Sequence, residues 1–151
     1  MEAYSFHFKD LLDNKHGVNH EIFYPGYQMV HHEVEGENGL MLSGEPNKTN
    51  FPEHHFTLHR TNDVLAWIVM VPLEKRIAKL VSRFMCTEVD LILAEKIHIF
   101  IENFAGKKGF QRLFVHTKPS GLGFYRCLGF QHDSATMQDG GSAIYVMKKE
   151  I

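Results

Sequence analysis

The 151-residue sequence has few cysteines, no long apolar run and almost no net charge, and each shortage excludes a class of protein. Its two cysteines, Cys86 and Cys127, argue against a disulfide-stabilised scaffold and favour a reducing compartment. Sixteen basic against 18 acidic residues give a net charge of -2, which provides no overall attraction to nucleic acid or membranes. No apolar stretch approaches about 18 residues, and residues 1–10 lack a signal-peptide pattern. We therefore expect a single cytoplasmic domain over residues 1–151.

Histidine, by contrast, is abundant, with eleven in the chain. Metal binding and pH sensing are the functional explanations, whereas composition and solvated strand edges are the structural ones. On a strand, His55 and His59 would share a face but lie about 13 Å apart, too far to bind one metal ion. We therefore expect no metal site. Cys127 lacks an evident histidine partner in the sequence and is predicted to be a small buried hydrophobe.

The first half of the chain is predicted to form strands. Residues 4–8 and 26–35 are weakly patterned candidates, and the Gly, Asn, Pro and Ser residues of 36–52 mark loops. From residue 54 the pattern is clearer, because alternating or continuous apolar runs are separated by turn signals. Three antiparallel strands joined by short hairpin turns are predicted at residues 54–60, 64–71 and 77–86.

A long helix is predicted next. One apolar stripe has i, i+3, i+4 spacing and comprises Val89, Ile92, Leu93, Ile97, Phe100, Ile101 and Phe104. His98 falls off this stripe, and Gly106 and Gly109 can end the helix. A strand at residues 112–117, a short helix at 121–128 stopped by Gly129, and a final strand at 143–149 complete the order. This order predicts an α/β (α+β) fold, with a mixed, mostly antiparallel sheet flanked by helices.

Three segments of the second half resemble a known family. Residues 109–115 read GFQRLFV, residues 124–130 read FYRCLGF, and residues 143–149 read AIYVMKK. In this order and spacing they are similar to the C-terminal half of the acyl-CoA N-acyltransferases (GNAT), and the similarity covers residues 54–151. The resemblance implies transfer of an acetyl group from acetyl-CoA to the primary amine of a small molecule or peptide, by a chain that could form a homodimer.

The resemblance also implies a site. In the family, two splayed parallel strands hold the pantetheine arm, and the diphosphate lies at the N-terminus of the following helix. Tyr125 is the implied acid for the departing thiolate, and Glu88 is the implied base, with His116 and His59 as weaker options. A core-packed Tyr125 and a solvated Glu88 remain the structural alternatives. The implied coenzyme contacts are Phe84, Met85, Cys86, Ala94 and Lys118.

The helix start departs from the family pattern Arg/Gln-x-x-Gly-x-Gly/Ala. Residues 87–94 read TEVDLILA, without glycine or arginine, and only Ala94 matches the final small residue. Thr87 and Asp90 resemble a capping box, which would satisfy the N–H groups that a diphosphate needs. The basic residues that could compensate are Arg83, Lys107, Lys108, Lys118 and Arg126, although Lys107 and Lys108 would more simply close the C-terminal end of the helix.

Two alternatives to an ordinary acetyltransferase follow from this departure. The first is a catalytically degenerate GNAT fold that serves as a binding or assembly module. The second is an acyltransferase that uses a different acyl donor, whose phosphate contacts lie elsewhere.

Overall fold

A computed structural model of the protein describes residues 17–21, 25–34, 49, 51–61, 63–85, 89–139 and 142–151. The strands of this part of the chain are β1 Val18–Glu21, β2 Tyr27–Val34, β3 Glu53–Arg60, β4 Asp63–Glu74, β5 Ile77–Met85, β6 Arg112–Thr117, β7 Gln131–Asp139 and β8 Ser142–Glu150. The helices are α1 Leu91–Lys107 and α2 Leu122–Cys127, the second preceded by a 3-10 turn at Pro119–Gly121. Neither α-helix is long and apolar enough to cross a bilayer.

The eight described strands form one sheet in the spatial order β1-β2-β3-β4-β5-β6-β8-β7. Strands β1 to β5 follow one another as antiparallel neighbours. Strands β5 and β6 are a parallel pair, connected through α1, and β8 lies between β6 and β7. The mixed, mostly antiparallel sheet flanked by helices is therefore confirmed.

The sequence patterns located most of these elements. The three strands predicted from residue 54 onwards are β3, β4 and β5, and β6 has the predicted bounds of 112–117. The candidate at 26–35 is β2. Strands β1 and β7 were not predicted individually, and the candidate strand at 4–8 lies outside the described residues.

One face of the sheet packs against α1 and forms the larger core. Ile97 and Ile101 of α1 are fully buried there against apolar side chains of β3 to β6 and β8. The predicted stripe was wrong at two positions, because Ile92 is 57% exposed whereas His98 is only 4% exposed. The buried face is centred on Leu93, Ile97 and Ile101, and it includes His98 and two alanines that a search for large apolar residues passes over.

The opposite face of the sheet buries a row of polar side chains. Glu53, His55, Thr57 and His59 of β3 are each at most 4% exposed. Because side chains alternate along a strand, residues 55, 57 and 59 share one face, as predicted, beside a small cluster formed by Trp67, Val69 and Val71. Among the residues that the structure describes, no group of three potential ligands could hold a metal ion.

Candidate active site

The parallel strands β5 and β6 are joined at one end only. Their pairing begins at Ile77 and Arg112 and ends at Leu80 and Val115, although both strands continue. Within the described residues, the two strands therefore separate towards their C-terminal ends and leave one edge of Val81–Met85 open. Ligands of open α/β sheets bind at this end of the strands, so the split is the first place to look for a site.

A β-bulge lies beside the split. Ile68 of β4 pairs with Ser82, whereas its neighbour Trp67 pairs with Phe84, so Arg83 is the extra residue of β5. Bulges bend a strand and change the direction of its side chains, and they are frequent beside active sites. The bulge therefore separates the joined part of β5 from the part that borders the opening.

The predicted contacts on this segment are only partly described. Phe84 and Met85 belong to β5, and their backbone pairs with β4. Cys86 and the predicted base Glu88 lie outside the described residues. Their roles therefore stay predictions.

Tyr125 of α2 reaches the split from the side of α1. Its ring is held by edge-to-face contacts with Phe124 and Phe130, at centroid distances of 5.1 and 5.6 Å, and by His98 at 6.3 Å. Burial raises the pKa of Tyr125, and the nearby side chain of Ser82 partly opposes that rise. Tyr125 is therefore a neutral phenol at physiological pH, with a proton to donate.

Two glycines allow α2 to lie where it does. A Cβ atom on Gly121 would collide with Oγ1 of Thr117, so only glycine permits this close approach of α2 to the end of β6. Gly129 has φ +93°, in the left-handed region that ends helices, and it stops α2 as the sequence predicted. Together they fix the backbone on both sides of Tyr125.

The start of α1 satisfies its own backbone. Asp90 is the N-cap, and its carboxylate accepts a hydrogen bond of 2.8 Å from the N–H of Leu93. The N–H of Ala94 donates to the carbonyl oxygen of Asp90, and the Ala94 side chain is buried. The helix is therefore capped by one of its own side chains, but the predicted capping box was wrong in register, because Asp90 is the N-cap itself, and Thr87 lies outside the described residues. An anion at this terminus would meet the Asp90 carboxylate and the exposed side chains of Leu91 and Ile92.

Two of the basic residues that could compensate lie at the C-terminal end of α1, so they cannot contact an anion at its N-terminus. Lys107 is the last helical residue and Lys108 is the C-cap, about 25 Å along the helix from Asp90. Lys108 contacts Glu33 at 3.8 Å. The simpler prediction, that these lysines close the C-terminal end, is confirmed. Lys118 is exposed just beyond β6, and Arg126 is exposed on α2.

The two histidines considered as weaker bases lie away from Tyr125. His116 alternates with buried Val115, so its side chain is on the sheet face opposite α1. His59 is buried on that same opposite face, where its Nε2 lies 2.8 Å from Oγ1 of Thr57. Burial lowers the pKa of His59. Both therefore belong to the other side of the sheet.

His98 is the histidine that packs against Tyr125, and the sequence pattern did not single it out. Burial, reinforced by the positive charge of Lys149, lowers its pKa to about 4, so the ring is neutral at physiological pH. Its buried Nδ1 has no hydrogen-bond partner among the described residues. The prediction that Cys127 is buried was wrong, because it lies on the exposed side of the short helix α2.

Solved structures of acetyltransferases share this architecture. A GNAT family acetyltransferase from Elizabethkingia anophelis with acetyl-CoA bound has a TM-score of 0.57 and 14% identity, covering 85% of this chain and 100% of that chain. An IAA acetyltransferase from Bacillus cereus has a TM-score of 0.57 and 13% identity, covering 82% and 99%. An acyl-CoA N-acyltransferase from Pseudomonas aeruginosa has a TM-score of 0.55 and 11% identity, covering 65% and 68%.

No family model matches the sequence, and no curated protein matches it either. At identities of 11 to 14%, the structural similarity shows the fold. The chain therefore has the GNAT fold, as the sequence resemblance implied.

Proposed function

We propose that this chain is a GNAT-type acyltransferase that moves an acyl group from a pantetheine thioester to a primary amine. One observation carries the proposal: β5 and β6 stop pairing after Leu80 and Val115, on the side of the sheet where Tyr125 packs, and the open edge of β5 beyond that point can pair with the pantetheine amides. An edge with unpaired N–H and C=O groups binds an extended ligand by adding hydrogen bonds to the sheet.

Tyr125 is the proposed acid of this reaction. As the amine forms a C–N bond with the acyl carbon and the C–S bond breaks, Tyr125 gives its proton to the departing thiolate. The proton that the attacking nitrogen loses as the amide forms, carried by the base or by water, then restores the phenol. A positioned acid of this kind typically contributes 10²- to 10⁴-fold to the rate. Glu88 stays the proposed base, and Lys118 a proposed phosphate contact.

The start of α1 supports only a small contribution of the diphosphate to the binding free energy of acetyl-CoA. Asp90 occupies one of the N–H groups that such an anion would use, and its own charge opposes a second anion. The same observation favours two further candidates: an acyl donor without a diphosphate at this helix, and a binding module that does not transfer acyl groups. The acceptor is proposed to be a small molecule or peptide carrying a primary amine.

Binding of two thioesters tests the proposal. We expect acetyl-CoA and S-acetyl-pantetheine to raise the melting temperature saturably, because a ligand that binds the native state stabilises it. Their dissociation constants should differ by no more than about tenfold, since a terminus capped by Asp90 offers the diphosphate little. Thermal-shift titration with both ligands measures this difference.

Replacing the cap provides the matched control. Asp90→Gly frees the N–H of Leu93 and removes the charge, so it should tighten acetyl-CoA binding and leave S-acetyl-pantetheine unchanged. A gap of more than about a hundredfold between the two thioesters in the unaltered protein would show that the diphosphate has strong partners elsewhere. Absence of binding by either thioester at millimolar concentration would overturn the acyltransferase proposal in favour of the binding module.

Removing the phenol hydroxyl tests the acid. Tyr125→Phe should lower kcat at least about a hundredfold, because the thiolate then departs without a proton donor. The KM for the thioester should change little, since the ring and its packing remain. Release of free thiol in an amine-dependent assay measures both constants. Tyr145→Phe on β8 is the matched control, and an unchanged kcat in Tyr125→Phe would remove Tyr125 from the mechanism.

A further inference from the structure

We propose that Lys149 of β8 is a positioning residue for Tyr125, and that its ammonium ties the C-terminal end of α2 to α1. The inference rests on the proposed acyltransferase function and deepens it. Neither the sequence patterns nor the resemblance singled out this lysine, because a lysine near the end of a strand ordinarily faces solvent.

Lys149 projects from the sheet on the side of the helices. It pairs with Leu113 of β6 and lies two residues after Met147, and both of these neighbours are fully buried in the core that α1 covers. Because side chains alternate along a strand, Lys149 is on the same face. Only 26% of its side chain is exposed. A charge in such surroundings needs partners that replace water.

The ammonium of Lys149 contacts both helices. Its Nζ donates a hydrogen bond of 2.7 Å to the carbonyl oxygen of Leu128, the C-cap of α2. The same atom lies 2.6 Å from Oε1 of Glu102 on α1, a side chain that is only 14% exposed. Two of the three donors of the ammonium are therefore engaged, and the carboxylate balances its charge. One side chain of the sheet thus connects the end of α2 to α1.

The carbonyl oxygen of Leu128 is a group that α2 does not satisfy by itself. The N–H of Phe130 donates to the carbonyl oxygen of Tyr125 at 3.0 Å, and the N–H of Gly129 makes the second hydrogen bond of this Schellman motif. Leu128 is buried, and its carbonyl receives its donor from Lys149. A Cβ atom on Gly129 would lie 3.1 Å from Nζ of Lys149, so glycine also leaves space for the ammonium.

Tyr125 depends on this contact because α2 is short. A helix of six residues, Leu122–Cys127, has little stability of its own, so its direction is set by what it contacts. Neighbouring aromatic side chains hold the ring of Tyr125, but only where the backbone of α2 is itself fixed. Lys149 fixes the C-terminal end of that backbone, three residues after Tyr125.

Without the ammonium, the carbonyl of Leu128 and the carboxylate of Glu102 lose their shared partner. The end of α2 then relaxes towards water, and the hydroxyl of Tyr125 moves relative to the open edge of β5. For a group that must meet a reacting atom, a displacement of about 1 Å can cost about a hundredfold in rate.

Amide hydrogen exchange at pH 7 tests the inference without any substrate. In Lys149→Met, the N–H of Phe130 should exchange at least about tenfold faster, the effect of one lost hydrogen bond to a charged group. The N–H of Ile101, in the buried middle of α1, should change less, because the loosening is confined to α2. Unchanged exchange at Phe130, or an equal increase at both amides, would overturn the inference, whatever happens to the rate.

A double-mutant cycle provides the second readout. Lys149→Met should lower kcat about ten- to a hundredfold with the KM for the thioester unchanged, because the acid is displaced while the edge of β5 remains. In the Tyr125→Phe background the same change should lower kcat less than about twofold, since the hydroxyl that Lys149 positions is already absent. Equal reductions in both backgrounds would overturn the positioning role.

Two further variants complete the experiment. Lys149→Gln stays polar but is one atom shorter, so it gives the same test where Lys149→Met does not fold. Lys148→Met is the matched control, because the side chain of Lys148 is on the other face of the sheet, where it lies 3.9 Å from Asp133, and kcat should not change. Faster exchange at Phe130 in a protein without acyltransferase activity would sink the proposed function alone.

Discussion

Lowering the pH from 7 to about 4 is expected to reduce the stability of this fold by several kcal/mol, because buried histidines, three of them with pKa values near 4, resist protonation. The pKa of His31, of His54 and of His98 is lowered in each case from 6.5 to about 4, chiefly by burial. His98 packs beneath Tyr125, whereas Nε2 of His31 and Nδ1 of His54 lie 3.0 Å apart beside α1. These side chains belong to the core that joins α1 to the sheet.

The sign of the effect follows from proton binding. The unfolded chain binds a proton at each of these histidines near pH 6.5, whereas the folded chain does so only near pH 4. Stability is therefore complete above about pH 6.5, falls as the pH drops from there to about 4, and levels off below. His98 alone accounts for about 3 kcal/mol.

His31 and His54 should titrate together rather than independently. They share one short contact, so a proton on either ring opposes a proton on the other. Lys108 lowers both pKa values further, while Glu33 raises that of His31. Because His31 is only half-buried, solvent screening reduces its contribution to the loss of stability at low pH. We therefore expect His31 and His54 together to contribute less than twice the loss that His98 contributes.

Urea unfolding followed by circular dichroism at several pH values from 7 to 4 measures this loss. His98→Leu should reduce the slope of stability against pH by about 1.4 kcal/mol per pH unit, which is the effect of one proton. His132→Gln, at an exposed histidine of β7, is the control for the loss of a histidine side chain. Equal stability at pH 7 and pH 4.5 would contradict the burial of these rings.

The elements of the fold were predictable where their signals were local. The strand over residues 112–117 and the glycine stop at Gly129 depend on alternation and on one left-handed residue, and both were predicted correctly. The buried face of α1 was less predictable, because small residues and His98 occupy it while Ile92 faces solvent. Whether such side chains are buried depends on the residues that they contact in the fold, and these residues are distant in the sequence.

The candidate site was predictable only in part, for the same reason. Tyr125 follows a recognisable motif, and the acidic start of α1 already indicated a helix that caps itself. The split depends on where β5 and β6 stop pairing, which neither strand's own sequence reveals. The opening between these strands could therefore be found in the structure alone.

The polar side chains on the two faces of the sheet differ in chemistry. On the face of α1, the hydroxyl of Tyr125 is placed beside an opening between strands. On the opposite face, both ring nitrogens of His55 have partners, because one contacts Glu53 and the other accepts a hydrogen bond from Trp67. A histidine with both nitrogens occupied has no lone pair left for acid–base catalysis. We therefore attribute a structural role to this row.

Removing Glu53 should be among the most destabilising single changes in the protein. Glu53 and His55 are both fully buried, with Nε2 of His55 3.0 Å from Oε1 of Glu53. The indole N–H of Trp67 can only donate, so Nδ1 of His55, at 2.8 Å, must accept. His55 is then the neutral tautomer with its proton on Nε2, which donates to the Glu53 carboxylate.

Glu53→Ala deprives the neutral N–H of His55 of its acceptor and leaves a cavity in a dry interior, and we expect these two effects together to lower the free energy of unfolding by about 3 to 5 kcal/mol. Glu53→Gln keeps an acceptor oxygen and nearly the same volume and should cost about 1 to 3 kcal/mol, so the difference between the two variants isolates the loss of the acceptor and of the volume. Urea unfolding at pH 7 measures both, and a ¹⁵N spectrum of the imidazole nitrogens reports the Nε2–H tautomer of His55. A Glu53→Ala variant as stable as the unaltered protein would contradict the buried pair, whereas a proton on Nδ1 would contradict the donor assigned to Trp67.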